Sequence, residues 1–195
     1  MHEIEPYDNW QKYYRAERDM RSPFYGREYG IYYQDDVYGY YIDPRWDAIG
    51  SETLYCKILY ADYALSACII ELFGEWNDTL HNDSMHFKRN VIDRLLLNGI
   101  SKYILISENL LQFHGGDTDY YEEWFEEIEE ANEASGPGWI AILNQRRHIE
   151  EEMTKYGIDY YINMGGTLQI ENWRTAKPKQ LIAVVDQLMN RRLGA

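Results

Sequence analysis

From Leu54 onward, short apolar runs alternate with stretches whose apolar residues recur every three or four positions, and this alternation most constrains the fold. Leu54–Ala61 and Leu65–Phe73 read as two strands separated by Asp62-Tyr63-Ala64, which predicts an antiparallel pair. Asn77 to Asp83 offers several capping side chains. The helix that follows runs to about Asn98, with Phe87, Val91, Ile92, Leu95 and Leu96 at helical spacing and Gly99 past its end. Tyr103–Ser107 and Trp139–Leu143 are apolar at successive positions, the pattern of adjacent parallel strands buried on both faces. Between them Asp117 or Thr118 can cap a helix from Tyr120 to Ala131, broken at Ser135-Gly136-Pro137-Gly138. Gln145–Tyr156 reads as a third helix stopped by Gly157, and Tyr160–Met164 as a last strand before Gly165-Gly166. Pro178 opens a terminal helix with Leu181, Ile182, Val185, Leu188 and Met189 on one side. The order β-β-α-β-α-β-α-β-α predicts an α/β fold with a mixed, mostly parallel sheet of four to five strands and helices packed on it.

Residues 1–50 form a separate region of the sequence, a Tyr-rich extension ahead of the α/β domain at 51–195. They hold ten of the nineteen tyrosines and few aliphatic residues. Glu28 to Asp43 contains two aromatic, β-prone stretches around Gln34-Asp35-Asp36, which predicts a hairpin turning there. Strand structure over Tyr29 to Ile42 would dock on the domain or on a second copy, so a homodimer through residues 1–50 is one expectation.

The charge balance narrows the partners. Nineteen Lys and Arg stand against 33 Asp and Glu, a net charge of −14. That argues against nucleic acid, which requires clustered basic residues, and against anionic membrane surfaces. No apolar run approaches the roughly 20 residues of a spanning helix. Met1-His2-Glu3-Ile4-Glu5 does not read as a signal peptide, and Cys56 and Cys68 are too few for a disulfide scaffold. A cytoplasmic location is the expectation.

Spacings that announce catalysis are absent. The chain has no phosphate-binding G-x-x-x-x-G-K-[ST], no dinucleotide G-x-G-x-x-G, no G-x-S-x-G elbow and no zinc spacing, so no cofactor and no metal are expected. His81 and His86 diverge on a helix, and both cysteines read as core residues. Two features remain. Gln112-Phe113-His114-Gly115-Gly116-Asp117-Thr118-Asp119-Tyr120 follows a central strand and opens a helix, where open α/β sheets present functional groups. The helix after it carries Glu122, Glu123, Glu126, Glu127, Glu129, Glu130 and Glu133 with no Lys or Arg between Asp119 and Ser135. Trp124, Phe125 and Ile128 would bury its other side and hold the carboxylates outward.

The order of elements over roughly Leu65 to Met189 resembles the STAS domain family, the small α/β domains of anti-sigma-factor antagonists and sulfate-transporter tails. Ile70-Glu71-Leu72-Phe73-Gly74-Glu75-Trp76 is similar to that family's early strand and glycine, and Asp117-Thr118 matches its D-S pair by position. The resemblance implies a non-catalytic regulatory module with Thr118 as a phosphoacceptor. Asp119-Tyr120-Tyr121 stands where the family has small residues, and Glu108–Gly116 reads as a longer loop than the family's. The resulting expectation is a protein-interaction module. It would dock a partner with a basic surface through residues 112–120 and the helix 120–131, using His114, Asp117, Thr118, Glu122, Glu126, Glu127 and Glu130. The competing expectation is a binder of acyl or lipid ligands, or an enzyme, with a pocket near His114, Asp117 and Asn144.

Overall fold

The computed structural model describes residues 2–33, 36–131 and 137–194. Strands β1 (His2–Ile4), β2 (Asp36–Val37) and β3 (Tyr40–Ile42) form a small sheet in the order β1-β3-β2. The main sheet has five strands in the order β4-β5-β6-β7-β8: β4 (Asp47–Ala48), β5 (Leu54–Asp62), β6 (Ala67–Asn77), β7 (Lys102–His114) and β8 (Trp139–Leu143). Between β6 and β7 run α1 (Asp83–Phe87), a π-helical turn (Lys88–Ile92) and α2 (Asp93–Leu97). Helix α3 (Asp119–Ala131) links β7 to β8, and α4 (Arg147–Lys155) and α5 (Pro178–Leu193) complete the chain.

β5 and β6 pair antiparallel, whereas β6–β7 and β7–β8 are parallel. Lys102–Ile106 lies beside Trp139–Leu143 in unbroken parallel register, and the apolar residues of both runs are buried, as expected. Two parallel steps in the same direction put both crossovers on one face. On that face Cys68, Ile70, Leu72, Tyr103, Leu105, Ile140 and Ile142 pack with Phe87, Val91, Leu95, Trp124, Ile128, Ile149 and Met153. The residues between them, Ile69, Ile104, Ile106, Ala141 and Leu143, face the other way into a second core with Leu181, Ile182, Val185 and Met189 of α5. The period of two along each strand thus fills two cores at once.

Gly74 fixes how β6 meets β5. Its φ is +106°, and a Cβ there would lie 2.0 Å from the Thr53 carbonyl oxygen. Only glycine allows this approach, where Thr53 O also accepts the Glu75 N–H at 3.0 Å. The register shifts there, and Trp76 turns into the first core.

Residues 1–50 contribute to both cores. Trp10 joins the α5 side and donates its indole N–H to Ala176 O at 3.2 Å, while Ala16 and Phe24 join the helical side. Trp46 stacks on Phe73 with centroids 5.3 Å apart.

Three expectations are corrected. Tyr160–Met164 is no strand: Ile158–Tyr160 is a 3-10 turn and Asn163 makes a single parallel bridge to Ala141. Ile158 and Ile162 enter one core four residues apart while Tyr160 is 83% exposed, a helical spacing that alternation cannot produce. The fifth strand is instead β4. The segment Glu108–His114 is not a loop but the second half of β7. Its polar Glu108 and Asn109 interrupt the apolar run, yet Leu110 and Phe113 return to the first core. The hairpin of residues 36–42 turns at Tyr38-Gly39, both with positive φ, the geometry of a two-residue hairpin loop. The first long helix runs from Asp83 to Leu97 as expected, widened at Lys88–Ile92 by the π turn. The expected turn residues Gln34 and Asp35, the break at Ser135-Gly136, and Glu133 lie outside the described residues.

Candidate functional site

β7 ends beside Asn77 of β6, and the turn Gly115–Thr118 carries the chain into α3. Both glycines of this turn serve packing. A Cβ on Gly115 would meet the Tyr156 ring at 2.4 Å, and one on Gly116 would meet Asp78 O at 3.0 Å. Thr79 Oγ1 donates to Gly115 O at 2.6 Å. The Thr118 carbonyl accepts the N–H groups of Tyr121 and Glu122 at 2.9 and 3.0 Å, so Thr118 opens the helix as expected.

Asp78 ties the turn together. Its carboxylate accepts the Ser84 N–H at 2.7 Å, the Trp76 indole N–H at 3.2 Å and the Tyr121 hydroxyl at 2.5 Å. Burial pushes Asp78 above the ordinary carboxylate range although these hydrogen bonds pull it down, and burial raises Tyr121 well above the ordinary phenol. One buried side chain thereby joins the end of β6, the start of α1 and the first turn of α3.

A polar cleft of about 410 Å³ opens at this corner, lined by Asp78, Thr79, Leu80, Asn82, Asp117, Asp119 and Tyr120. Asp117 is brought to it, but neither His114 nor Asn144 lines it. The His114 ring lies 3.2 Å from Glu75 Oε1. Asn144 sits elsewhere, donating to Glu108 Oε1 at 2.7 Å. No Lys or Arg lines the cleft among the described residues, and Asp117, Asp119 and Glu122 surround Thr118 in sequence. Among the described residues no group of three His, Cys, Asp or Glu is placed to hold a metal ion.

Helix α3 has two sides. Tyr121, Trp124 and Ile128 are buried, and Phe125 is half-buried against Tyr161. The carboxylates divide as well. Glu123 takes both Arg89 guanidinium nitrogens at 2.6 and 2.7 Å, and Glu127 takes the Lys88 ammonium at 2.6 Å. Lys88 is only 1% exposed and also contacts Asp93. Burial works against its charge, yet the bonds from Asp93 and Glu127 hold its pKa above the ordinary lysine value. Glu122, Glu126, Glu129 and Glu130 remain exposed, with no ion pair among the described residues. The cations that pair with two of this helix's carboxylates come from the π turn, so no spacing within residues 119–135 could reveal them.

A second polar cluster escaped the sequence reading. Glu71, in the middle of β6, is 1% exposed. It accepts the Tyr7 N–H at 2.8 Å and the Asn109 side-chain N–H at 3.1 Å, and Arg174 lies 4.0 Å away. Burial pushes its pKa up to about 7, opposed by the Tyr7 N–H and Arg174 and reinforced by Glu108. Glu108 pairs with Arg174 at 2.6 Å and accepts the Trp173 indole N–H at 2.8 Å. The cluster fastens the N-terminal segment and residues 170–176 to the sheet. The one visible signal is Glu71, a carboxylate inside an apolar strand pattern.

No family model matches the chain, and no curated protein matches it. Among solved structures it is similar to a candidate anti-sigma factor antagonist of Thermotoga maritima, at 15% identity over 51% of this chain and 80% of that one, with a TM-score of 0.38. It is also similar to the Bacillus cell-fate determinant SpoIIAA in its phosphorylated form, at 12% identity over 57% of this chain and 92% of that one, again with a TM-score of 0.38. The α/β class rests on the sheet order and crossovers described above.

Proposed function

We propose that this protein is a non-catalytic regulatory module of the cytoplasm. It docks a protein partner with a basic surface through the turn at 115–120 and the outer face of α3. The observation that carries this reading is the division of α3. Two of its glutamates are taken by Arg89 and Lys88, while Glu122, Glu126, Glu129 and Glu130 stand exposed, with no ion pair among the described residues, on a helix anchored by Tyr121, Trp124 and Ile128. Like charges at i,i+4 cost an isolated helix stability, and a cationic surface would relieve that cost. The cleft beside Asp117 supports the same reading over an acyl or lipid binder, because its walls are mainly polar and carboxylate-bearing. Absence of a helix long and apolar enough to cross a membrane, among the described residues, is compatible with it. Thr118 is the proposed phosphoacceptor, placed where α3 begins.

The test is capture of partners from native lysate by the full chain and by a Glu122→Gln/Glu126→Gln/Glu130→Gln variant, at low and high salt. We expect recovery by the wild type at low salt, lost in the variant and reduced by salt over a Debye length of about 8–10 Å. Equal recovery by both proteins at low salt would remove the docking role of α3.

A further inference from the structure

The ends of α2 and α3 leave a groove of about 530 Å³ between them, lined by Asp93, Leu96, Leu97, Glu127, Glu130 and Ala131. We infer that this groove receives a basic, leucine-bearing amphipathic helix of the protein partner. The inference rests on the docking reading above and deepens it by naming the chemistry of the docked element.

Its apolar part is the run Leu95-Leu96-Leu97. Leu95 is fully buried in the first core, Leu96 packs at its edge, and Leu97 is 87% exposed. A lone exposed leucine is ordinary. This one stands at the mouth of a groove walled by two helices, where side chains at i and i+4 of a third helix would fit between the ridges.

The charge around the groove selects the partner. The last turn of α3 contains Glu129 and Glu130 and no basic residue, so its terminal carbonyls reinforce the negative charge there. The last turn of α2 holds Arg94, but its guanidinium donates away to Met20 O at 3.1 Å. Lys88 lies buried beneath, already engaged by Asp93 and Glu127. A cation on the incoming helix would therefore meet at Glu130 a carboxylate with no ion pair among the described residues. The same charge disfavours an anionic lipid surface. A second copy of this chain is disfavoured too, because its net charge is −14 and the apolar side of its Arg-bearing helix α5 is already buried through Leu181, Val185 and Met189.

The test uses the full chain and two labelled peptides of about 18 residues. One has leucine on one helical face and lysine elsewhere, and the other has serine in place of every leucine. Fluorescence anisotropy is measured for the wild type, for Leu97→Ser and for Glu126→Gln/Glu130→Gln, with urea midpoints confirming that each variant is folded. The wild type should bind the leucine peptide at least about tenfold more tightly than the serine peptide, a difference of about 1.4 kcal/mol. Leu97→Ser should cut that preference to about threefold or less without changing binding of the serine peptide. The glutamine variant should weaken both peptides at low salt. Equal wild-type affinity for the two peptides, or an undiminished preference in Leu97→Ser, overturns the groove. If the glutamine variant still weakens both peptides in that case, the acidic docking face stands without the groove. If it has no effect either, both readings fall.

Discussion

Glu71→Gln should stabilise the protein at pH 8 and leave it nearly unchanged at pH 4. Glu71 is buried with a pKa pushed up to about 7, against an ordinary glutamate value of 4.5. Below about pH 4.5 the group is protonated both folded and unfolded, so it contributes no penalty. Between 4.5 and 7 the unfolded chain releases its proton first, and stability falls as pH rises. Above about 7 the folded protein carries a buried carboxylate. At about 1.4 kcal/mol per pH unit the full penalty is about 3 kcal/mol. Glutamine keeps an oxygen for the Tyr7 N–H at the position that accepts it at 2.8 Å. Its amide faces Asn109, whose own amide can turn to present oxygen. Arg174 keeps its 2.6 Å pair with Glu108. Urea midpoints of both proteins from pH 4 to 8.5 measure the effect. Asp47, Asp78 and Asp83, also raised by burial, add slopes of the same sign to both proteins, and the difference between the curves isolates Glu71. Parallel curves, or a variant less stable than wild type at pH 8, would refute this account of the cluster.

Gly74→Ala should lower stability by at least about 2 kcal/mol in urea denaturation, through positive φ and the close Thr53 carbonyl. Lys88→Ala should cost roughly 2–3 kcal/mol, because it empties a buried site, leaves Glu127 without its cation and leaves Asp93 with Arg89 alone, whereas Arg89→Ala on the surface should cost less than about 1 kcal/mol in the same assay. Trp10→Ala should cost roughly 3–5 kcal/mol, and limited proteolysis should spare residues 7–26 of the wild type; rapid cleavage there without loss of stability would mark a loosely held segment. If the homodimer expected from the sequence of residues 1–50 forms, it would run through Ile31 and Tyr32, 79% and 75% exposed, and sedimentation equilibrium should show Ile31→Lys/Tyr32→Lys shifted to monomer; identical profiles would exclude that surface.

The parts of the fold legible in the sequence are those where one local pattern had one structural meaning. Trp139–Leu143 is bounded by Gly138 and Asn144 and apolar throughout, and it forms a strand over that same span. Pro178 opens α5, whose apolar face meets the second core. Readings failed where distant residues decided the outcome. Glu108 and Asn109 look like a loop because their partners Asn144, Trp173 and Glu71 are 36, 65 and 38 positions away. Tyr160–Met164 looks like a strand until Ile158 and Ile162 are seen to share a core. At the candidate site the Thr118 helix start and the exposed glutamates were visible in advance. The pairing of Glu123 and Glu127 was not, because Lys88 and Arg89 lie more than 30 residues earlier.

The docking face of α3 is tested most directly by carboxyl footprinting of the full chain, free and with its captured partner. Carbodiimide labelling of each carboxylate is read by mass spectrometry. Labelling of Glu122, Glu126, Glu129 and Glu130 should fall by at least about threefold on binding, while exposed Glu151 and Glu171 on other parts of the chain stay unchanged. Undiminished labelling of the α3 glutamates, with protection appearing elsewhere, would contradict it.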